Sequence, residues 1–131
     1  MTLFFSWDQF DKSVDLIAKK FNFSDFSAIY GIPRGGLCLS VALSHKLDLK
    51  LISKPQKNSL IVDDVYETGI TLNSLRHIEG ASFFVLFSKR KAEWWDTLYL
   101  CEQNEWIVFP WENKEKSLND QKEYLKKREL P

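Results

Sequence analysis

The stretch LIVDDVYETGITL (residues 60–72) closes an aliphatic run with carboxylates at Asp63, Asp64 and Glu67. It then continues in Thr68, Gly69, Ile70 and Thr71. Small residues let backbone N–H groups converge on a phosphate, and a following helix adds its positive end. The threonine hydroxyls supply further donors. Carboxylates beside such a cradle suit a ligand that also carries hydroxyls or a bound divalent cation. A sugar phosphate meets both requirements. A second group, Arg34, Gly35 and Gly36, comes directly after the apolar run FSAIYGI (26–32). Its glycines either only turn the chain or open their amides to an anion that the guanidinium also meets.

Both groups stand where strands would end, and an open parallel sheet puts its binding crevice at the carboxyl ends of its strands. Periodicity supplies the elements. Ser6 and Gln9 form a capping-box pattern, after which Phe10, Val14, Ile17, Ala18 and Phe21 recur at helical spacing. FSAIYGI reads as a strand, and residues 37 to 47 as a helix packed on a sheet. LKLIS and SLIVDD are further strands. ITLNSLRHI returns to helical spacing, with Gly80 as its expected C-cap. ASFFVLFS, DTLYLC and WIVFPW complete the set, WIVFPW as the last strand. This alternation predicts an α/β fold: an open, mostly parallel sheet flanked by helices. One domain is expected over 1–112. The charge-dense tail, 113–131, reads as helical or partly disordered, either a solvated end or a docking segment for a partner subunit.

Composition excludes several classes. The chain has 131 residues, 44% of them hydrophobic, enough for a single core. Its 18 basic and 18 acidic residues balance, so no global field recruits nucleic acid or an anionic membrane. No run approaches a membrane span, and the start lacks the basic region of a signal peptide. Cys38 and Cys101 lie in apolar runs without metal-type spacing, which predicts buried free thiols and a cytoplasmic location. His45 and His77 sit in helical patterns without partners for a metal site and read as solvated or capping residues.

The stretch 60–72 resembles the phosphoribosyl pyrophosphate signature of the type I phosphoribosyltransferases, in which aliphatic residues precede two acids and a Thr-Gly-x-Thr loop. The resemblance extends over residues 5 to 112 and is nearest the 6-oxopurine branch, the xanthine-guanine and hypoxanthine-guanine enzymes. FSWDQFDKSVDLIAKKF resembles that branch's first helix and IYGIPRGGL its pyrophosphate loop. VLFSK and EWIVFPWE resemble its base-binding segments. The resemblance implies transfer of a 5-phosphoribosyl group from phosphoribosyl pyrophosphate to a purine base, with magnesium, in a homodimer. Asp63 and Asp64 would hold the ribose hydroxyls, directly or through magnesium and water. Glu67 would handle a proton near purine N7. Thr68, Gly69, Ile70 and Thr71 would wrap the 5-phosphate, while Arg34, Gly35 and Gly36 would bind pyrophosphate. Lys89 would meet the 6-oxo group, Trp106 would stack on the base, and the Ile107 backbone would read its edge. A cis peptide bond between Pro33 and Arg34 is implied as well. On their own, Lys89 also reads as a solvated strand end, and Trp106, Trp94 and Trp95 as core or dimer surface.

Two departures from the family pattern stand out. Glu67 is one methylene longer than the usual aspartate. Only about six residues, Lys54 to Ser59, separate LIS from the next strand, where the family carries a longer mobile loop with a Ser-Tyr pair. The hood is therefore expected to be reduced, with Lys54 and Lys57 as candidate pyrophosphate contacts in its place. Two function classes remain: an enzyme, and a non-catalytic module that senses nucleotides or phosphoribosyl pyrophosphate.

Overall fold

An apolar run such as FFVLF (83–87) needs cover on both faces, and a parallel sheet between helices provides it. The computed structural model describes residues 1–22 and 25–129, with side chains through residue 127. From the N-terminus come β1 (Thr2–Phe4), α1 (Trp7–Ala18), β2 (Ala28–Gly31), α2 (Leu37–Leu47) and β3 (Leu51–Ile52). Then follow β4 (Ser59–Tyr66), α3 (Ile70–Leu75), β5 (Ser82–Ser88), β6 (Asp96–Leu100), β7 (Trp106–Val108) and α4 (Lys114–Glu129). These fall into two compact units, one of Asp11–Gln103 and one of Met1–Phe10 with the chain from Asn104.

The larger unit holds a five-stranded sheet of order β3-β2-β4-β5-β6, every pair parallel. Its centre is β4 and β5, where Leu60, Ile61, Val62, Phe84, Val85 and Leu86 are fully buried. Ile17 of α1 and Leu39 and Leu43 of α2 are equally buried. Each such side chain contributes ~1.5–3 kcal/mol on leaving water. Of the two sheet edges, that at β3 is blunted by the brevity of the strand. The expected α/β architecture is borne out.

Strand order decides where a ligand fits. The chain steps outward from β2 through α2 to β3, then returns past β2 to β4. The switch point between β2 and β4 opens a crevice at their carboxyl ends. The return uses only residues 53–58. It must cross two strand spacings, ~10 Å, and retreat about two residues along the strands, ~7 Å. Six residues reach at most ~20 Å, so little chain is left to project over the crevice. The reduced hood follows from this distance.

α3 is shorter than ITLNSLRHI predicts. It stops at Leu75, and Ser74 donates its hydroxyl to the Thr71 carbonyl (2.5 Å). Tighter turns follow, Ile78 N–H to Leu75 O and Ala81 N–H to Ile78 O. Gly80, at φ +70°, is therefore not the helix cap. A Cβ there would lie 1.9 Å from Asn58 Oδ1, so its left-handed turn serves the close approach to Asn58. Cys38 and Cys101 are free, but half-buried rather than buried. Among the described residues, no helix is long and apolar enough to cross a membrane.

In the smaller unit β1 and β7 pair in parallel, Leu3 opposite Ile107. WIVFPW was expected in the main sheet; it forms this separate two-stranded sheet instead. The capping box is present in full, with Ser6 N–H donating to Gln9 Oε1 (2.9 Å) and Gln9 N–H to Ser6 Oγ (3.1 Å). Phe109 stacks on Trp111 (4.7 Å between centroids), and Phe10 meets Trp111 edge-on. Asn113 Oδ1 accepts the Lys116 N–H to start α4, which buries Ser117.

Candidate active site

β2 runs out into residues 33–36, and the peptide bond between Pro33 and Arg34 is cis. Gly36 N–H closes the turn on Ile32 O (2.8 Å), leaving Arg34 exposed. Gly35 lies against the end of β4: a Cβ there would stand 2.2 Å from Asp64 Oδ2. The two motifs, distant in sequence, touch at this point. Only glycine permits it.

Asp63 and Asp64 follow the buried run Ser59–Val62 of β4 and are half-buried themselves. Adjacent strand residues point to opposite faces. Asp64 faces Gly35, whereas Asp63 lines a cavity of about 180 Å³ with Val65, Tyr66, Glu67, the loop 68–71, Leu72 and Val85. Asp64 N–H donates to Asp63 Oδ1 and Val65 N–H to Asp64 Oδ1, both at 2.8 Å. Burial pushes the Asp63 carboxyl up to about 8, and the neighbouring Asp64 charge adds to the shift. Burial also raises Asp64, against hydrogen bonds from Asp63 and the Val65 N–H that favour its charged form. Two desolvated carboxylates side by side keep a proton near neutrality unless a cation relieves them.

Beyond them the loop 68–71 turns on Gly69, at φ +79°, and Asn73 N–H donates to Gly69 O (2.8 Å). Thr68, Ile70 and Thr71 are exposed around the cavity. Lys89 follows β5, its N–H bound to Tyr66 O (2.9 Å). Its side chain is only 4% exposed, and Nζ lies 3.3 Å from Glu67 Oε1 and 3.4 Å from the Gln103 carbonyl. Gln103 returns a hydrogen bond from Nε2 to Lys89 O. The larger unit thus gathers a glycine turn, a carboxylate pair, a small-residue loop and a half-buried ion pair along three neighbouring strand ends.

No family model matches the chain. Its sequence is 27% identical over 132 residues to a xanthine-guanine phosphoribosyltransferase of Chromohalobacter salexigens, covering 82% of each chain. Among solved structures, a purine phosphoribosyltransferase from Pyrococcus horikoshii is 27% identical with a TM-score of 0.72, over 86% of this chain and 94% of that one. The chain is a relative of the purine phosphoribosyltransferases. The Helicobacter pylori xanthine-guanine-hypoxanthine phosphoribosyltransferase shares the fold, with a TM-score of 0.72 at 22% identity, over 92% of this chain and 99% of that one. The type I phosphoribosyltransferase fold expected from the motifs is thereby borne out, and the named relatives are glycosyltransferase-type enzymes.

Against that fold, the predicted site residues divide by unit. Arg34, Gly35, Gly36, Asp63, Asp64, Glu67, Thr68, Gly69, Ile70, Thr71 and Lys89 all belong to the larger unit. Trp106 and Ile107 belong to the smaller one. There the Trp106 indole N–H donates to Ser117 Oγ (3.2 Å) and its ring tilts against Tyr124 (5.5 Å), while Ile107 is buried.

One expectation is corrected. Lys57 stands at the amino end of β4, where its ammonium pairs with Glu79 (3.4 Å). Asp63 is six residues further along, ~20 Å at strand rise. Lys57 is at the wrong edge of the sheet for pyrophosphate. Lys57→Ala is accordingly expected to leave phosphoribosyl pyrophosphate affinity unchanged by calorimetry at low and high salt.

Sequence reasoning missed Tyr66 and Gln103, and left Trp95 between core and dimer surface. Trp95 is core, 3% exposed and stacked on Tyr66. The available signal was an aromatic residue ending the strand that carries both acids.

Proposed function

We propose that this chain transfers the 5-phosphoribosyl group from phosphoribosyl pyrophosphate to a 6-oxopurine, guanine, xanthine or hypoxanthine, giving a nucleoside 5-monophosphate and pyrophosphate. The observation that carries this reading is the contact of Gly35 with Asp64 at the switch point, which brings a pyrophosphate-type loop and a ribose-type acidic pair into one crevice. In this reading Arg34 and the amides of Gly35 and Gly36 take the leaving pyrophosphate. The loop 68–71 holds the 5-phosphate, and Asp63 and Asp64 take the ribose hydroxyls.

The residues present fit a magnesium ion. Among the described residues no cluster of three metal-type ligands exists, and magnesium is typically held by one or two carboxylates with substrate oxygens completing its shell. Asp63 and Asp64 would hold it, and when bound it neutralises charge on the departing pyrophosphate. The sugar develops oxocarbenium character as the bond at C1 breaks, so orientation of the attacking base nitrogen matters most. Lys89 donates to the 6-oxo oxygen. The Glu67 carboxylate accepts the proton that the base gives up at N7. Their 3.3 Å pairing keeps both charges compensated until a base arrives.

A purine panel with phosphoribosyl pyrophosphate and magnesium, followed by pyrophosphate release, tests the reading. Guanine, xanthine or hypoxanthine should support release. Adenine, which presents a 6-amino donor to the Lys89 ammonium, should not. Lys89→Met should raise the Michaelis constant for the base ~10–100-fold, the worth of a hydrogen bond to a charged group, and leave that for phosphoribosyl pyrophosphate unchanged. The stacking and edge-reading expected of Trp106 and Ile107 stay part of the proposal, with Trp106→Leu raising the base constant alone.

The six-residue connection 53–58 favours a second reading, a sensor that binds phosphoribosyl pyrophosphate or nucleotides without turnover. Tight binding with no pyrophosphate release from any base would establish it.

A further inference from the structure

Tyr66, the last residue of β4, has no part in the chemistry above. It is 7% exposed, and its ring lies flat on the Trp95 indole, with centroids 3.8 Å apart and planes 11° apart. Trp94 meets Tyr66 edge-on at 6.4 Å. Trp95 is fixed in turn by its indole N–H, which donates to Ser88 Oγ (3.2 Å). The far end of the phenol reaches the loop: a Cβ on Gly69 would lie 2.1 Å from the Tyr66 hydroxyl and 2.4 Å from Cζ. Gly69 is the loop residue with positive φ, so its backbone rests on the phenol while it makes the turn. Nothing larger than hydrogen fits between them.

We propose that Tyr66 is a positioning residue that holds the 68–71 loop in shape for a phosphate monoester, acting through Gly69 and braced by Trp95. This rests on the phosphate-binding role of that loop in the function proposed above. A loop whose Thr68, Ile70 and Thr71 side chains are exposed has little packing of its own, and ordering it on binding would weaken affinity. A rigid aromatic platform removes that cost in advance. Tyr66 reaches Lys89 only through its main chain, whose carbonyl accepts the Lys89 N–H, whereas its side chain packs on Trp95 and Trp94 and meets the 68–71 loop at Gly69. The effect should therefore be selective for phosphate over base.

The test compares Tyr66→Leu, Tyr66→Phe and Trp95→Phe in the full chain, with folding checked by circular dichroism. Calorimetry with ribose 5-phosphate reads the loop without requiring turnover. Steady-state kinetics read the separate Michaelis constants. Tyr66→Leu should weaken ribose 5-phosphate binding and raise the Michaelis constant for phosphoribosyl pyrophosphate by ~10-fold, the upper value of an aromatic pair, without changing that for the base. Tyr66→Phe keeps the stack and should restore both. Should Tyr66→Leu fail to fold, Trp95→Phe, which deletes the Ser88 hydrogen bond and trims the contacts with Tyr66 and Trp94, should give a weaker loss in the same direction, ~3-fold. Unchanged ribose 5-phosphate affinity in folded Tyr66→Leu or in Trp95→Phe overturns the proposal. An equal loss in Tyr66→Phe also overturns it, because the ring stacked on Trp95 would then not be what holds the loop. A wild-type chain that binds ribose 5-phosphate yet releases no pyrophosphate defeats the transferase reading and leaves this one standing. A wild-type chain that binds no phosphate monoester defeats both.

Discussion

Changing Asp63 and Asp64 together to asparagine is expected to remove nearly all transferase activity while raising the melting temperature. The loss follows from the hydroxyl and cation contacts assigned to the pair. Charge stabilisation of several kcal/mol translates into ~10²–10³-fold in rate. The gain follows from desolvation. In the folded chain Asp63 titrates at about 8, far above an unfolded carboxyl, so between those values the native state holds a proton that the unfolded state releases. Native stability must then fall as pH rises from about 4 to about 8 and level off above. Asparagine has no proton to lose, and its oxygen can still accept the N–H bonds of Asp64 and Val65. The variant should therefore melt higher than wild type, by a margin that widens between pH 5 and pH 8. Thermal melts across that range, beside pyrophosphate release, check both halves. A variant that loses stability and activity in step would show the acids to be structural.

The glycines of the first loop should separate function from folding. Alanine at 35 places its Cβ within 2.6 Å of all three atoms of the Asp64 carboxyl group, a short side chain that can rotate away by giving up its bond from Val65 N–H. The fold should survive, while the Michaelis constant for phosphoribosyl pyrophosphate rises ~100-fold as two displaced charge-assisted contacts are lost. Alanine at 36 meets the Val62 carbonyl at 2.5 Å and the Ile32 backbone at 2.9 Å. No side chain can yield there. Overpacking against main chain should cost about 3 kcal/mol, lowering the melting temperature by ~10 °C. Melting curves and kinetics on the two single variants distinguish these outcomes.

Much of the site was legible because its chemistry is local. LIVDD and the Thr-Gly-Ile-Thr run are continuous in sequence, although the strand carries both acids and continues to Tyr66. α2 was legible at both ends, residues 37 to 47, because Gly36 precedes it and the apolar spacing stops at Leu47. What escaped depends on partners distant in the chain. β1 and β7 are three-residue strands at opposite ends of the sequence, and no local pattern says which sheet such a run joins. Lys57 was set on the wrong edge because the direction of the 53–58 crossing follows from strand order, which periodicity does not contain. Gly80 resembles a helix cap in sequence, yet the space beside it is taken by Asn58. Tyr66 and Trp95 meet only once β4 and β5 are side by side.

The short crossing between β3 and β4 has a kinetic meaning. Where a long segment must fold over substrate and then peel away, its opening often limits each cycle, and the reaction is shielded while it stays shut. Six residues that must cross β2 leave little chain for such a stroke. In the proposed reaction, substrates and products then exchange by diffusion through a mouth that stays open, and bond breaking sets the pace. The open mouth also admits water to the ribosyl cation. Part of each batch of phosphoribosyl pyrophosphate is then hydrolysed before a purine captures it, and the wasted fraction shrinks as the purine concentration rises.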